Sequence, residues 1–283
     1  GVRARGLDPR PFLLALAGGS NAGSAATVIG NPQNILIGQV GRLDFWHFLA
    51  VCGPPALMAM AAVFLAIKWT WADELELRPE REALPPPELD RWQAAKGVIA
   101  TAILIVAFAT PLPRELAVLG VAALLLVSRR LATRRVMAQV DWHLLLLFAA
   151  LFVVNAAMSR TGLPADALAW LGRHGLLPDR LAVLLPLTLA MSNTVGNVPA
   201  VVMILSLWPS APEGALYGLA LLSTLAGNFL LVGSIANIIV AERAAAEGVR
   251  LGFADFARAG VPMTLAVMPA AALWLALGGW IGW

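Results

Sequence analysis

Long stretches without any charged residue alternate along the chain with short charged segments. Most of these stretches reach or approach the roughly 17 to 25 residues that a helix needs to cross the hydrocarbon core of a bilayer. The pattern therefore predicts an all-α membrane protein with several spans. The charge-free stretches are Pro11–Gly41, Phe48–Ile67, Gly97–Pro113, Leu116–Ser128, Leu144–Ser159, Leu181–Pro212, Gly214–Ala241 and Ala259–Trp283.

The stretch Leu181–Pro212 is too long and too polar at its centre for a single straight span. Its 32 residues would form a helix of about 48 Å, whereas the hydrocarbon core is about 30 Å thick. Its middle, residues 191–199, reads Met-Ser-Asn-Thr-Val-Gly-Asn-Val-Pro, in which glycine and proline break a helix. We expect a re-entrant hairpin over 181–212, with two short helices that meet at a polar tip. Non-helical backbone at membrane depth requires cover by protein or a water-filled cavity.

The stretches Pro11–Gly41 and Gly214–Ala241 share this polar character and align with each other without a gap. An offset of 203 residues places Ser20 on Ser223, Gly30 on Gly233 and Asn34 on Asn237. An internal repeat of broken helices is typical of secondary transporters, whose sites lie where half-helix ends meet near the bilayer midplane. Amides at half-helix N-termini attract anions, while freed carbonyls and side-chain oxygens can hold a cation such as sodium.

Composition excludes a soluble domain and gives the protein an orientation. The chain is 59% hydrophobic and 13% charged, against about 25% charged residues in soluble proteins. The net charge of +3 arises from residues clustered between spans, without the basic helical stripe expected of a nucleic-acid partner. If 181–212 is re-entrant and every other stretch crosses once, 15 of the 20 basic residues share a side with the polar loop 68–96. The positive-inside rule then makes this loop cytoplasmic in a multi-pass protein of the cell (inner) membrane.

Candidate chemistry favours binding over catalysis. Carboxylates or histidines in the middle of a span would be proton-relay candidates, and the charge-free stretches hold neither at their centres. Ser192 has no histidine or lysine near it in sequence that could activate it, and the three histidines are too scattered for a metal pair. We therefore expect a protein that is not an enzyme and has no cofactor, with sodium as the candidate coupling ion.

Three ordered motifs carry a family resemblance: residues 29–38 (IGNPQNILIG), 192–199 (SNTVGNVP) and 227–237 (GNFLLVGSIAN). They resemble the ion transporter superfamily, which includes divalent-anion/sodium symporters, citrate transporters, arsenite pumps and one class of sodium/proton antiporters. The Asn-Pro-Gln-Asn form of the first motif is most similar to the anion permeases of the arsenite-pump branch.

The resemblance implies two inverted repeats, each with a re-entrant hairpin and a following helix that is unwound at mid-membrane. Residues 1–67 would then be the end of repeat one, 68–96 a cytoplasmic linker and 97–283 repeat two. Within repeat two we expect the hairpin 181–212, the unwound helix 214–241 and the last span 260–281. The offset of 203 would place the first hairpin tip at position −11, so the chain reads as a C-terminal fragment. The alternative is a compact variant that forms a homodimer to complete its site.

The resemblance and the polar breaks together give the candidate site. Ser20 to Asn31 would form the first unwound link, Ser192 to Thr194 the hairpin tip, and Gly227 to Ser234 the second link. The predicted substrate- and ion-binding residues are Ser20, Asn21, Ser24, Thr27, Gly30, Asn31, Ser192, Asn193, Thr194, Asn197, Gly227, Asn228, Gly233 and Ser234. Candidate sodium ligands are Ser192, Asn193, Thr194 and Asn228.

Two further asparagines have an open role. Asn34 and Asn237 lie a turn beyond Gly30 and Gly233, and either line the site or cap and brace the second half-helix.

The main functional hypothesis is secondary active transport of a small inorganic or carboxylate anion across the lipid bilayer, coupled to an ion by symport. Alternatives within transport are a sodium/proton antiporter and an arsenite efflux permease. The alternative outside transport is a structural membrane subunit.

Overall fold

A computed structural model describes residues 2, 6–76, 89–108, 110, 112–126, 134, 138, 140, 142–208 and 210–283. Within these ranges the regular elements are helical and no β-strand occurs, as the hydrophobic pattern predicts. Three of the helices, α3, α5 and α13, are long and apolar enough to cross a membrane. In chain order the helices are α1 (Arg10–Ser24), α2 (Pro32–Val40), α3 (Phe45–Thr70), α4 (Ala72–Glu76), α5 (Arg91–Phe108), α6 (Arg114–Leu126), α7 (Trp142–Arg160), α8 (Leu163–Arg173), α9 (Leu181–Thr194), α10 (Asn197–Leu207), α11 (Glu213–Ala226), α12 (Ile235–Ala246) and α13 (Phe253–Leu277).

The chain divides into two compact units. One comprises Gly1–Ala83 together with Val154–Trp283, and the other comprises Leu84–Val153. In the second unit α5 and α6 pack against each other. Residues 97–283, which we expected to form repeat two, are thus divided between the units, and every candidate site residue lies in the first.

Helix α11 is the centre of the first unit. All of its residues from Ala215 to Ala226 are buried, and it packs against α3, α9, α10 and α13. A helix that is apolar on nearly all sides is stable only when neighbours surround it, as they do here. The α3 and α13 helices also pack against each other, and the indole nitrogen of Trp274 donates a hydrogen bond to the carbonyl of Val51 at 2.9 Å.

The stretch 181–212 forms two short helices with a polar junction, as its length and sequence predict. Helices α9 and α10 pack against each other and are separated by Val195 and Gly196. Gly196 has φ +95° and ψ 153°, a backbone conformation that is open to glycine and strained for other residues. Pro199 lies in the first turn of α10, where its missing amide costs no helical hydrogen bond. The second helix ends at Leu207, before the predicted end of the hairpin at 212.

The other two polar stretches are each broken into two helices as well. Residues 25–31 separate α1 from α2, and residues 227–234, which include a 3-10 turn over Leu231–Gly233, separate α11 from α12. The first break is shorter than the predicted link from Ser20 to Asn31, because α1 remains helical to Ser24. The Asn21 side chain bonds to the second break and to α12 and does not compete for its own backbone, so it does not unwind α1.

Two predicted boundaries differ from the helices that the structure shows. The last helix, α13, begins at Phe253 and ends at Leu277, while the predicted last span covers 260–281. Its charged first turn is stabilised because the Asp255 carboxylate accepts a hydrogen bond from the Gly252 amide at 3.0 Å. The predicted linker 68–96 begins inside α3, contains α4 and ends inside α5, and its residues 77–88 lie outside the described residues.

Gly260 marks the closest approach of α13 to the second break and gives a test of this packing. A Cβ atom at this position would lie 2.5 Å from the carbonyl oxygen of Asn228 and 2.7 Å from that of Phe229. We expect Gly260→Ala to destabilise the protein by about 1–3 kcal/mol, because backbone atoms must move. Gly19→Ala, where a Cβ meets no atom within 4 Å, should be neutral or stabilising. Thermal unfolding of both variants in detergent measures the difference, and equal melting temperatures would contradict the close approach.

Candidate functional site

Asn21, near the C-terminus of α1, connects the two broken helices. Its side-chain nitrogen donates to the side-chain oxygens of Asn228 at 2.8 Å and Asn237 at 2.9 Å. Its side-chain oxygen accepts a hydrogen bond from the Ser234 hydroxyl at 2.8 Å. All four side chains are buried. One amide thus joins α1 to both ends of the second break.

Thr224, near the C-terminus of α11, makes the converse connection to the first break. Its hydroxyl oxygen accepts hydrogen bonds from the side-chain nitrogens of Asn31 at 3.0 Å and Gln33 at 3.3 Å. The hydroxyl also donates to the side-chain oxygen of Asn34 at 3.4 Å. Helix α11 is therefore tied to the start of α2 in the way that α1 is tied to the start of α12.

These two sets of contacts are equivalent at the offset that aligns the two polar stretches. Asn21 corresponds to Thr224, Asn31 to Ser234, and Asn34 to Asn237. The bond between Asn31 and Thr224 therefore corresponds to the one between Ser234 and Asn21. The bond between Asn34 and Thr224 corresponds in the same way to the one between Asn237 and Asn21. An offset read from the sequence thus pairs residues that occupy equivalent places in the network.

Asn34 and Asn237 brace the breaks, which is one of the two roles that the sequence left open. Each side-chain nitrogen donates to two carbonyls at the start of, or within, the preceding break. The two pairs of carbonyls are again related by the offset that aligns the stretches. Carbonyls freed at a helix end must find donors when they are buried. Asn34 donates to the carbonyls of Ser24 at 3.3 Å and Thr27 at 3.0 Å, and Asn237 to those of Gly227 at 2.7 Å and Leu230 at 3.3 Å.

Glycines allow the chain to fold back over these carbonyls. A Cβ atom on Gly30 would overlap the carbonyl oxygen of Ser24. A Cβ atom on Gly233 would lie 3.1 Å from the carbonyl oxygen of Gly227 and 2.5 Å from the side-chain oxygen of Asn193. Both glycines are required by close approach of the backbone rather than by a special φ angle.

Each second half-helix begins with a polar cap. The Asn31 side chain accepts a hydrogen bond from the Asn34 amide at 2.8 Å at the start of α2. The Ser234 hydroxyl accepts one from the Ala236 amide at 3.2 Å at the start of α12. Both caps lie at the positive ends of helix dipoles, which favour negative charge.

The tip of the α9–α10 pair is bonded to the second break. The Ser192 hydroxyl donates to the Ser223 carbonyl at 3.3 Å. The Asn193 side chain donates to the Ala226 carbonyl at 2.9 Å and accepts from the Leu230 amide at 3.2 Å. Asn193 thus bridges the end of α11 and the middle of the break.

Some predicted site residues lie apart from this network. Ser20 is exposed on α1, and Thr194 is exposed with its hydroxyl bonded to carbonyls of its own helix. The oxygen of Asn197 accepts the Val198 amide at 2.9 Å, next to it in sequence. Thr27 contributes its carbonyl to the network. Each of the remaining predicted residues either bonds within the network or belongs to the backbone of a break.

The sequence reasoning missed Gln33 and Thr224 as network members. Both are buried. Gln33 lies in the first motif and Thr224 in the polar stretch Gly214–Ala241, so their position next to Asn34 and Ser223 was the available signal. The match of Asn34 with Asn237 was a stronger signal for the bracing role.

The chemistry of the network is that of neutral donors and acceptors. Of the candidate sodium ligands, Ser192, Asn193 and Asn228 are held by hydrogen bonds to protein, while Thr194 lies exposed on α9. Within the described part of the chain, no three histidine, cysteine or carboxylate side chains group as metal ligands. Amides and hydroxyls of this kind can bind an ion or a polar solute, and they provide no activated nucleophile.

Comparison with known proteins agrees with this chemistry. Residues 2–215 match the profile of a family described as citrate transporter. The chain is 30% identical over 300 residues to an uncharacterized transporter of Mycobacterium tuberculosis, with 95% of this chain and 68% of that protein covered. It is 28% identical over 293 residues to a 46 kDa membrane protein of Mycobacterium leprae, with 95% and 68% covered. It is 27% identical over 336 residues to a silicon efflux transporter of Oryza sativa, with 93% and 69% covered.

A double-mutant cycle tests the link between Asn21 and Ser234. Each alanine substitution leaves a buried partner unsatisfied, and we expect each to cost about 1–3 kcal/mol. Because the two residues bond directly, the double variant should differ from additivity by at least about 0.5 kcal/mol. The matched control pairs Asn21→Ala with Thr101→Ala, whose exposed hydroxyl bonds within α5, and should be additive. Chemical or thermal unfolding in detergent measures all the variants, and additivity in both cycles would contradict the link.

Proposed function

Because the chain belongs to the citrate transporter family, we propose that it is a secondary active transporter of a small inorganic or carboxylate anion. Transport by this proposal is coupled to a second ion, with sodium as the candidate. The protein works as a multi-pass protein of the cell membrane with residues 68–96 on the cytoplasmic side. The family assignment also separates the chain from enzymes, because the named relatives are transporters or membrane proteins.

The observation that carries this proposal is the direct bonding of two helix breaks through buried, uncharged side chains. Short helices that end inside the protein offer N-terminal amides for an anion and C-terminal carbonyls for a cation. Here the N-termini of α2 and α12 and the C-termini of α1 and α11 are held in one hydrogen-bonded network. A solute of either charge sign therefore finds suitable groups within the same region of the first unit.

We further propose that α1–α3 and α11–α13 are corresponding parts of two inverted repeats, and that α9–α10 is a re-entrant hairpin. The equivalent contacts support a repeat, and the same sequence offset relates the first residues of α1 and α11 and those of α2 and α12. The first residues of α3 and α13 are related by a slightly larger offset, which also pairs the internal prolines Pro54 and Pro262. The lengths of α9 and α10, 14 and 11 residues, are below the roughly 17 to 25 of a full span.

We propose that sodium binds between the hairpin tip and the second break. Ser192, Asn193 and Asn228 present hard oxygen ligands beside the carbonyls freed at the end of α11. Their existing hydrogen bonds would be exchanged for ion contacts when sodium binds. Thr194 would need to turn inward from its exposed position to contribute.

A second candidate is efflux of a small hydroxylated inorganic solute, which includes the arsenite permease alternative. The similarity to a silicon efflux transporter, over 93% of this chain, favours it. Amide and hydroxyl groups recognise hydroxylated oxyacids as well as anions, since they both donate and accept hydrogen bonds. This candidate predicts transport out of the cell, whereas anion uptake predicts transport into it, so the measured direction of flux distinguishes the two.

The proposed function is tested by flux into proteoliposomes that contain the full-length protein. We expect uptake of a labelled anion (citrate, arsenate or phosphate) that rises when an inward sodium gradient replaces a potassium gradient. Loading arsenite or silicic acid inside the vesicles tests efflux with the same preparation. The absence of flux for these solutes in either direction, with no stabilisation of the protein by any of them, would overturn the proposal.

Asn193→Ala tests whether the hairpin tip takes part. Loss of its two bonds to the second break should lower flux at least ten-fold, which corresponds to about 1.4 kcal/mol. Thr101→Ala is the control, because its exposed hydroxyl bonds only within α5, and it should leave flux unchanged. A folded Asn193→Ala protein with unchanged flux would exclude the Asn193 side chain from the transport site, whereas the absence of flux in the unsubstituted protein would favour a structural membrane subunit.

A further inference from the structure

An apolar groove of about 430 Å³ lies on the first unit, outside the polar network. Its walls come from the start of α1, the end of α3 and the short helix α4. Phe12, Phe64 and Leu75 line it and remain 41%, 65% and 39% exposed. A groove with these walls cannot be filled by water at low cost, so an apolar molecule is its favoured occupant.

Lys68 is the charged residue that lines this groove. Among the described residues no hydrogen bond or ion pair engages it. The neighbouring cation Arg10 is already neutralised, because it pairs with Asp8 at 2.6 Å and with Asp255 at 3.5 Å. The groove therefore presents one available positive charge at the edge of a hydrocarbon-like surface, which is complementary to an anionic amphiphile.

The position of Lys68 on α3 places this charge near a membrane surface. It lies in the last turn of a helix that is long and apolar enough to span a membrane. The next residue, Trp69, is 78% exposed, and exposed tryptophans at the ends of spans are typical of the headgroup region. The apolar wall one turn earlier, at Phe64, then lies at the depth of lipid acyl chains.

We propose that this groove binds an anionic phospholipid, with one acyl chain against Phe12, Phe64 and Leu75 and the phosphate paired with Lys68. The α4 helix contributes one apolar face to this contact, since Ala72 and Leu75 line the groove at i and i+3 spacing. The lipid contacts α1 and α3 together and so stabilises the start of the broken helix α1 against the span that follows it.

Native mass spectrometry of the full-length protein in a non-ionic detergent tests this site. The protein is titrated with phosphatidylglycerol and with phosphatidylcholine that carries the same acyl chains. We expect phosphatidylglycerol to bind more tightly, and Lys68→Gln to weaken it roughly five-fold, the factor that corresponds to about 1 kcal/mol for one basic residue at an anionic surface. Lys96→Gln, which removes the other lysine of the chain, should leave binding unchanged.

A second variant tests the groove without changing charge. Ala15 also lines the cavity, and Ala15→Trp should fill it and weaken binding of both lipids. Equal binding of the two lipids with no effect of Lys68→Gln would overturn the proposal in favour of unspecific solvation by hydrocarbon. Full competition by glycerol phosphate, which has no acyl chain, or unchanged binding in Ala15→Trp would also overturn it. These outcomes are independent of which solute the protein transports.

Discussion

The structure depends on one constraint: a helix that breaks inside an apolar protein must give every freed backbone group a partner. A buried carbonyl or amide without a hydrogen bond costs about 1–3 kcal/mol, and each break frees several at once. Asn34 and Asn237 meet this demand by donating to two carbonyls apiece across the break that precedes them. Without such donors the two short helices would rejoin as one continuous helix or expose the break to water.

The same constraint explains why the network consists of amides and hydroxyls. Ion pairs could also join the two breaks, but burying charged groups carries a desolvation cost that their attraction often fails to recover. An asparagine side chain both donates and accepts, so Asn21 can bond to Asn228, Asn237 and Ser234 at once. A neutral network also leaves no fixed charge to repel a passing ion of either sign. Stability of the breaks and the proposed capacity to bind a solute therefore rest on the same residues.

The sequence predicts the breaks well because their causes are local. Length in excess of a single span, together with Gly196 and Pro199, predicts two short helices in 181–212, and the match of Asn34 with Asn237 predicts equivalent roles. The extent of each break is set by tertiary partners and was predicted less well. Asn21 stays helical because its side-chain bonds go to the second break and to α12. Helix α13 begins before the predicted position because Asp255 pairs with Arg10 and with the Gly252 amide. The bond between Gln33 and Thr224 forms because the two breaks lie side by side, which the sequence does not specify.

In the anion transport that we propose, the polar caps would limit how tightly an anion is held. An anion that approached the N-terminus of α2 or α12 would meet one first-turn amide that is already engaged, that of Asn34 by Asn31 or that of Ala236 by Ser234. Displacing such a cap costs about 0.5–2 kcal/mol, which lowers affinity by a factor of roughly 2 to 30. A solute must bind well enough to be selected and weakly enough to be released on the far side. Caps that compete with the anion serve this need, because the same amides remain satisfied after the solute has left.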